Sequence, residues 1–489
     1  MWAMSPNRVL DPRTPVLIGV GALSARATEA DDARPVLDLM ADALETAAEA
    51  TPAVLDRVDL VIVPEGTWQN TDPGRLLVPG ARTVLAEVGV LQTTPYATAA
   101  SRIAAGAAEV VAIVGGEAKH RDRLLAKARA EPDDDRSPGT LPDETWAPAG
   151  EILPALEIER DLAVPAQQYA LIEQALRLAE GMTTDEHRRR LADRWAAFSQ
   201  VAATNPHAWN RDPVDPALLE SGSAANPWIS TPYTRLHCSQ WNVDQAAASL
   251  MCSVELAERL GVPRDRWVFP LASADSDEMI PLTQRDDPAA SPGFAVAGEW
   301  VASQTGVPLD ELEVRELYSC FPAAVQVQVR ELGLDPGRPL TTSGGMSFAG
   351  GPLNNFVLQA MEPFVSALRA EPSARGLVTA VSGMITKQGV AAWSCTPPAA
   401  PFVAADVGAT TAARTPLVEL DPDHVGSATI ETWTVVHMGG DPWRAVAFAR
   451  TPAGRRAVVR CDDSVVVNSM VDDEWSGREI HCRREWFEA

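Results

Sequence analysis

The stretch that decides the fold is residues 312–353, LEVRELYSCFPAAVQVQVRELGLDPGRPLTTSGGMSFAGGPL. Its apolar opening, 312–317, reads as a strand that delivers the tetrad Tyr318-Ser319-Cys320-Phe321 to a strand end. A helix opens near Pro322, because a first-turn residue has no helical partner for the amide that proline lacks. Ala324, Val325, Val327 and Leu332 keep that helix packed until Gly333 ends it. The turn Ser343-Gly344-Gly345 follows, and then Gly350-Gly351-Pro352. Two tight turns at strand ends are where open α/β folds place ligands.

Outward from this stretch, short β-runs alternate with helical patterns. Strands are expected over 16–20, 58–63 and 110–118, with helices over 35–50 and 97–106. Such alternation means a layered α/β fold. From about 119 to 230 the chain turns charged and proline-rich, with a helical run over 172–198, and reads as a cap inserted between two halves. The α/β pattern resumes at Tyr233, with a helix over 244–260, a strand over 267–271 and a helix near 294–304. Residues 396–416, TPPAAPFVAADVGATTAARTP, read as a linker. Beyond it, runs over 427–437, 443–450, 456–461 and 465–470, joined by Gly-Gly-Asp and Pro-Ala-Gly-Arg turns, suggest a small β-barrel. The expected division is 1–118, 119–230, 231–400 and 415–489.

Composition narrows the function. With 489 residues, 46% apolar and 22% charged, the chain is globular and long enough for two or three domains. A net charge of -25 disfavours nucleic acid or an anionic membrane as partner, since both need a positive surface. The opening residues carry no apolar leader core, and nowhere do about 18 apolar residues run together. A cytoplasmic protein is therefore expected. Six scattered cysteines make neither a disulfide scaffold nor a metal site.

The 312–353 stretch resembles the C-terminal half of thiolases, which make or cleave 3-ketoacyl-CoA. In that superfamily a strand leads into Asn-Glu-Ala-Phe or His-Asp-Cys-Phe, and a Gly-Gly turn leads to Gly-His-Pro-Leu. Here the tetrad is YSCF, and counting on from Gly344-Gly345 puts the catalytic histidine's place on Gly351. The nucleophilic cysteine's place falls in 91–96, LQTTPY, and the second cysteine loop in 382–387, SGMITK. Neither contains cysteine. The likeness extends through 233–275 and is greatest to actinobacterial type-one thiolase-like proteins, which carry an extra C-terminal β-domain. It implies a five-layered α-β-α-β-α arrangement of two similar halves, a helical cap and an OB-like barrel. It further implies an acetyl-CoA acetyltransferase-like protein of lipid metabolism, with coenzyme A or acyl-CoA as ligand, no tightly bound cofactor, and a monomeric or dimeric state.

Thiolysis needs a thiolate nucleophile and a base to form it, so ordinary thiolase chemistry is not expected. Cys320 fills the cysteine slot of the His-Asp-Cys-Phe variant and is a candidate nucleophile or acid/base; the competing reading is a buried thiol. Tyr318, in that variant's histidine slot, is a candidate proton donor to a thioester carbonyl or enolate, against a ring that packs the strand end. Ser382 stands in for the second cysteine. His237 adjoins Cys238, but neighbours on a strand face opposite ways, which favours a structural role over a dyad. Gly344, Gly345, Gly350 and Gly351 are candidates for lining the acyl-CoA pocket. Arg188 and Arg189, in the run His187-Arg188-Arg189-Arg190, are candidates for the nucleotide phosphates, against a solvated helix face.

Three functions follow: an acyl-CoA-binding, nominal acyltransferase with altered chemistry; a retro-aldol lyase on a 3-hydroxyacyl-CoA using Tyr318; and a non-catalytic acyl-CoA-binding scaffold.

Overall fold

The computed structural model describes residues 10–130, 139–148 and 150–489. The leader reading at residues 1–9 and part of the charged run at 131–138 lie outside the described residues.

Two sheets stack with helices between and outside them. The first runs in the order Pro15–Ser24, Asp244–Ser253, Val110–Ala118, Val58–Pro64, Arg82–Ala86, Glu144–Trp146. The second runs Val314–Glu316, Arg375–Ser382, Lys387–Ser394, Phe269–Ser276, Val403–Asp406. Helices Thr94–Ala104 and Phe356–Ala370 lie between the sheets, inside the largest apolar cluster. Helix Val36–Ala48 covers the outer face of the first sheet, and Pro292–Thr305 packs on the second. Central strands such as Val110–Ala118 are buried along their whole length, which is why they read as unbroken apolar runs. This is the expected five-layered α/β fold.

Four local expectations are corrected. Residues 244–260, read as a helix from their alanines, form the strand Asp244–Ser253 and only a short helix, Val254–Arg259. That strand sits inside the first sheet between two antiparallel partners, where Ala246, Ala247 and Ala248 let helices approach both faces. A strand buried on both faces has no period to separate it from a helix. The helical run 172–198 is two helices, Pro165–Ala179 and Thr184–Thr204, broken at Gly181 (φ +66°) and restarted by a Thr183–Glu186 capping box. The 396–416 linker holds strand Val403–Asp406, paired with Phe269–Ser276, and helix Gly408–Arg414. Residues 465–470, whose valines suggested a strand, lie in helix Ser464–Asp472, nucleated by Asp463 accepting the Val465 and Val466 amides.

The C-terminal region is a closed five-stranded barrel: Val425–Met438, Asp441–Arg450, Arg456–Cys461, Trp486–Glu488 and Glu479–Arg483, returning to the first. Its sheet continues into the core through Trp228–Ser230 and Tyr233–Thr234. Arg456, wholly buried, donates to the carbonyls of Thr283, Arg285 and Asp286 and to the Glu431 carboxylate, so one guanidinium joins barrel and core.

Candidate active site and its arginine cleft

Strand Val314–Glu316 ends in a carboxylate that builds the first glycine turn. Glu316 is 2% exposed and accepts the amides of Thr342 (2.7 Å) and Ser343 (2.8 Å) and the hydroxyls of Thr341, Thr342 and Ser343. Burial holds its carboxyl above the ordinary range, and these donors work against that rise. An acid in an apolar strand was the sequence signal for this anchor.

The tetrad is clamped beyond it. The Tyr318 amide donates to Thr379 Oγ1 (2.9 Å), and its carbonyl accepts from Gln328 Nε2 (2.7 Å). Its ring stands edge-on to Phe356 at 5.5 Å. The hydroxyl meets Gln92, whose carboxamide also accepts the Val357 amide (2.7 Å) and donates to the Leu353 carbonyl (3.3 Å). Gln92 thus fills the stretch where a thiolase carries its nucleophile and ties it to the second glycine turn. Burial pushes the Tyr318 phenol far above its ordinary range, with the neighbouring Cys320 adding to the shift. Tyr318 is therefore a neutral hydroxyl, able to donate and unfit to act as a base near pH 7.

Cys320 is a free thiol, 8% exposed, pushed up to about 12 by burial. The Tyr169 hydroxyl stands beside it and donates to the Gly383 carbonyl at 3.2 Å, while the Tyr169 ring stacks on Phe321 at 4.5 Å. Tyr169, which the sequence reading missed because it lies in the cap, joins the tetrad to the Ser382 loop. Ser382 itself is half-buried at its strand end, its carbonyl accepting from Thr386 Oγ1 at 2.9 Å.

The histidine's place is filled. A Cβ on Gly351 would lie 2.0 Å from Ser239 Oγ, so an imidazole cannot project there while Ser239 holds its position. Ser239 is fixed by its amide bond to the Cys320 carbonyl (3.0 Å). The other candidate glycines are close-packing positions too: Gly344 faces Ala202, Gly345 faces Phe198 and Gly350 faces Gln245.

His237 lies in a single 3-10 turn, not on a strand, and stands apart from the tetrad. Its Nδ1 accepts from the Thr234 amide at 3.2 Å and pairs with the Thr234 hydroxyl at 2.9 Å. Burial lowers it to about 4, leaving it neutral, and its charged surroundings are Glu173 and His187. The Cys238 thiol donates to the Thr234 carbonyl at 3.5 Å, and burial pushes it up to about 12.

The basic run on helix Thr184–Thr204 divides. Arg188 is held by Asp472 (3.2 Å), the Val471 carbonyl (2.9 Å) and the face of Trp228, which pins cap to barrel. Arg189 lines an open cleft of about 800 Å³ with Arg190, Arg194, Arg338, Phe198 and Thr341. Arg190 donates to Glu180 and, at 2.8 Å, to Gln326. Arg189 and Arg194 have no ion pair among the described residues, and burial beside Arg190 lowers Arg194 from its ordinary value. The cleft thus brings guanidinium groups that make no close ion pair to one end, with the carboxylates of Glu186 and Asp193 on the same wall. At the other it reaches Thr341 and Phe198, which abut the first glycine turn.

Fold and site together define a thiolase-like protein. Residues 409–485 match the family described as the thiolase-like protein type 1 additional C-terminal domain. A monomeric SCP2-thiolase-like protein type 1 from Mycobacterium smegmatis shares 28% identity, with 97% of this chain and 98% of that one covered and a TM-score of 0.81. Two more distant structures show the fold: an Ltp2-ChsH2(DUF35) aldolase (19% identity, 78% and 98% covered, TM-score 0.56) and the dimeric peroxisomal thiolase of Saccharomyces cerevisiae (15%, 79% and 98%, 0.57). No curated protein sequence matches. The chain has the thiolase-like fold with an extra C-terminal domain, and that domain matches the one of thiolase-like proteins type 1.

Proposed function

We propose that this protein binds acyl-CoA thioesters, with the nucleotide phosphates on the arginine cleft and the thioester directed towards Tyr318, and that it does not carry out thiolysis. The observation that carries this reading is the cleft itself: four arginines line it, Arg189 and Arg194 make no ion pair among the described residues, and the other end abuts the first glycine turn. Guanidinium groups suit phosphates because their planar donors match the oxygens. Against thiolysis stand a protonated Cys320, Gln92 in the nucleophile stretch and Ser239 in the imidazole's place. The nominal acyltransferase role is thereby reduced to binding and carbonyl polarisation.

Calorimetry with coenzyme A, acetyl-CoA and 3'-phosphoadenosine 5'-diphosphate tests the reading. Arg194→Ala is expected to weaken all three about tenfold, the scale of one charge-assisted contact. Absence of binding by any CoA ester overturns it.

The meeting of the Tyr318 hydroxyl with Gln92 supports a second reading, a retro-aldol lyase in which Tyr318 serves as proton donor. Tyr318→Phe then abolishes cleavage of a 3-hydroxyacyl-CoA and leaves affinity within about threefold, since one neutral hydrogen bond is worth about 1 kcal/mol or less. If mass spectrometry finds neither free CoA nor a carbonyl product, the non-catalytic scaffold remains. A monomer is proposed, because strand Glu144–Trp146 covers Arg82–Ala86 at the edge of the first sheet. Light scattering that reports a dimer overturns this part.

A further inference from the structure

A second groove, of about 420 Å³, runs between helix Thr94–Ala104 and the strand pair Phe269–Ser276 and Val403–Asp406. Alternation along the first strand puts Ser273 and Asp275 on one face. The parallel register sets Ala404 against Ser273 and Asp406 against Asp275, so two carboxylates stand side by side above the groove. Like charges in that position repel and destabilise a sheet. Nearby, Asp277 is answered by Lys387 at 3.1 Å. Asp275 receives hydroxyl donors, Thr93 at 2.6 Å and Thr94 at 2.7 Å, and Asp406 receives the Gly408 amide at 2.8 Å. No cation meets either of them among the described residues.

A second feature points the same way. Ser273, 2% exposed, lines the groove with a hydroxyl that has no partner among the described residues. A buried polar group left unpaired is costly, and such groups mark places where something else is bound. The facing wall offers the hydroxyls of Thr98 and Ser101 and the methyls of Ala97 and Ala105, while Arg102 is held by both oxygens of Glu144 at 3.0 and 2.6 Å. Among the described residues no group of three or more acids, histidines or cysteines is arranged to hold a metal ion.

We propose that this groove binds an aliphatic polyamine, with an ammonium group between Asp275, Asp406 and Ser273 and the methylene chain along the alanines. An ammonium group supplies the positive charge that the two carboxylates lack and a donor to the unpartnered Ser273 hydroxyl, and the carbon chain suits the methyls of Ala97, Ala105 and Ala404. This site is independent of the acyl-CoA reading.

The full chain, titrated calorimetrically with putrescine and spermidine, is expected to bind both saturably, with 1,4-butanediol inert. Asp406→Asn keeps the oxygen that accepts the Gly408 amide and removes the charge; Ser273→Ala removes the hydroxyl. Each variant is expected to weaken spermidine about fivefold, the scale of one partly exposed charged contact. Melting temperatures verify that both variants fold. Absence of saturable binding, unchanged affinity in both variants, or saturable binding of magnesium with none of spermidine overturns the proposal.

Discussion

The tetrad turn and the arginine cleft adjoin along one helix, yet they treat charge in opposite ways. Around Tyr318 and Cys320 the chain has buried neutral hydroxyls and thiols and braced them with backbone bonds; along the cleft it gathers arginines, of which Arg189 and Arg194 make no ion pair among the described residues. One region is braced to hold its shape, and the other is the place where the proposed reading puts a charged ligand. Affinity and reactivity, fused in a working thiolase, are here separable, and substitutions should act on one without the other.

The largest expected effect breaks the turn. Glu316→Ala leaves buried amides and hydroxyls of 341–343 without their acceptor and should cost about 4 kcal/mol in urea denaturation. Affinity for 3'-phosphoadenosine 5'-diphosphate in the still-folded fraction should fall by about threefold or less, because Arg189, Arg190 and Arg194 stand on helix Thr184–Thr204 and only Arg338 and Thr341 lie on the segment that leads into the turn.

Two buried groups sharpen the contrast through pH. Folded His237 sits at about 4 against an ordinary 6.5, so the unfolded chain binds more protons in between. Its contribution is lost as pH falls through that window, by about 3 kcal/mol. Asp275 sits at about 6 against 3.8, with the opposite sign: its protonated form is favoured on folding, and stability is lost as pH rises from about 4 to about 6, by about 2 kcal/mol after allowing for partial solvent access. The parent should therefore show a shallow slope. His237→Gln should gain stability towards acid relative to it, and Asp275→Asn should lose it, as measured by denaturation at pH 4.5 and 6.5.

Gly351→His asks whether the imidazole can simply be restored. Overpacking against Ser239 should cost about 2 kcal/mol, and Ser239→Gly in the same chain should recover much of it. A single variant of parental stability would show that the slot is open after all. The smallest effect is expected in the cleft: Arg189→Ala should weaken 3'-phosphoadenosine 5'-diphosphate about threefold, as an exposed charge does, and leave the melting temperature unchanged.

How much of this was legible in sequence follows from what each feature depends on. The tetrad, both glycine turns and the helix from Pro322 carry local signals, and they lie where the linear reading put them. The strand Asp244–Ser253 was hidden because a sheet interior asks only for small apolar residues, a demand a buried helix shares. Helix Ser464–Asp472 was misread because three valines outweighed one capping aspartate. Within the site, Tyr318, Cys320 and Arg189 could be named from motif and charge, but Tyr169, Gln92 and Ser239 are defined by partners more than 80 residues away and leave no local trace. His237 misled for the same reason: its neighbours in space, Glu173 and His187, are far from it in sequence.

The barrel's sheet does not stop at the barrel. Since Ser230 pairs with Val436 and the Thr231 amide donates to the Val435 carbonyl at 2.9 Å, the last segment is woven into fabric begun two hundred residues earlier. Trimming the gene before residue 409 would leave a torn hem: the Thr231 amide without the Val435 carbonyl and three core carbonyls stripped of Arg456. What looks in sequence like a detachable accessory is part of the garment, and a shortened chain should come out of the cell as aggregate.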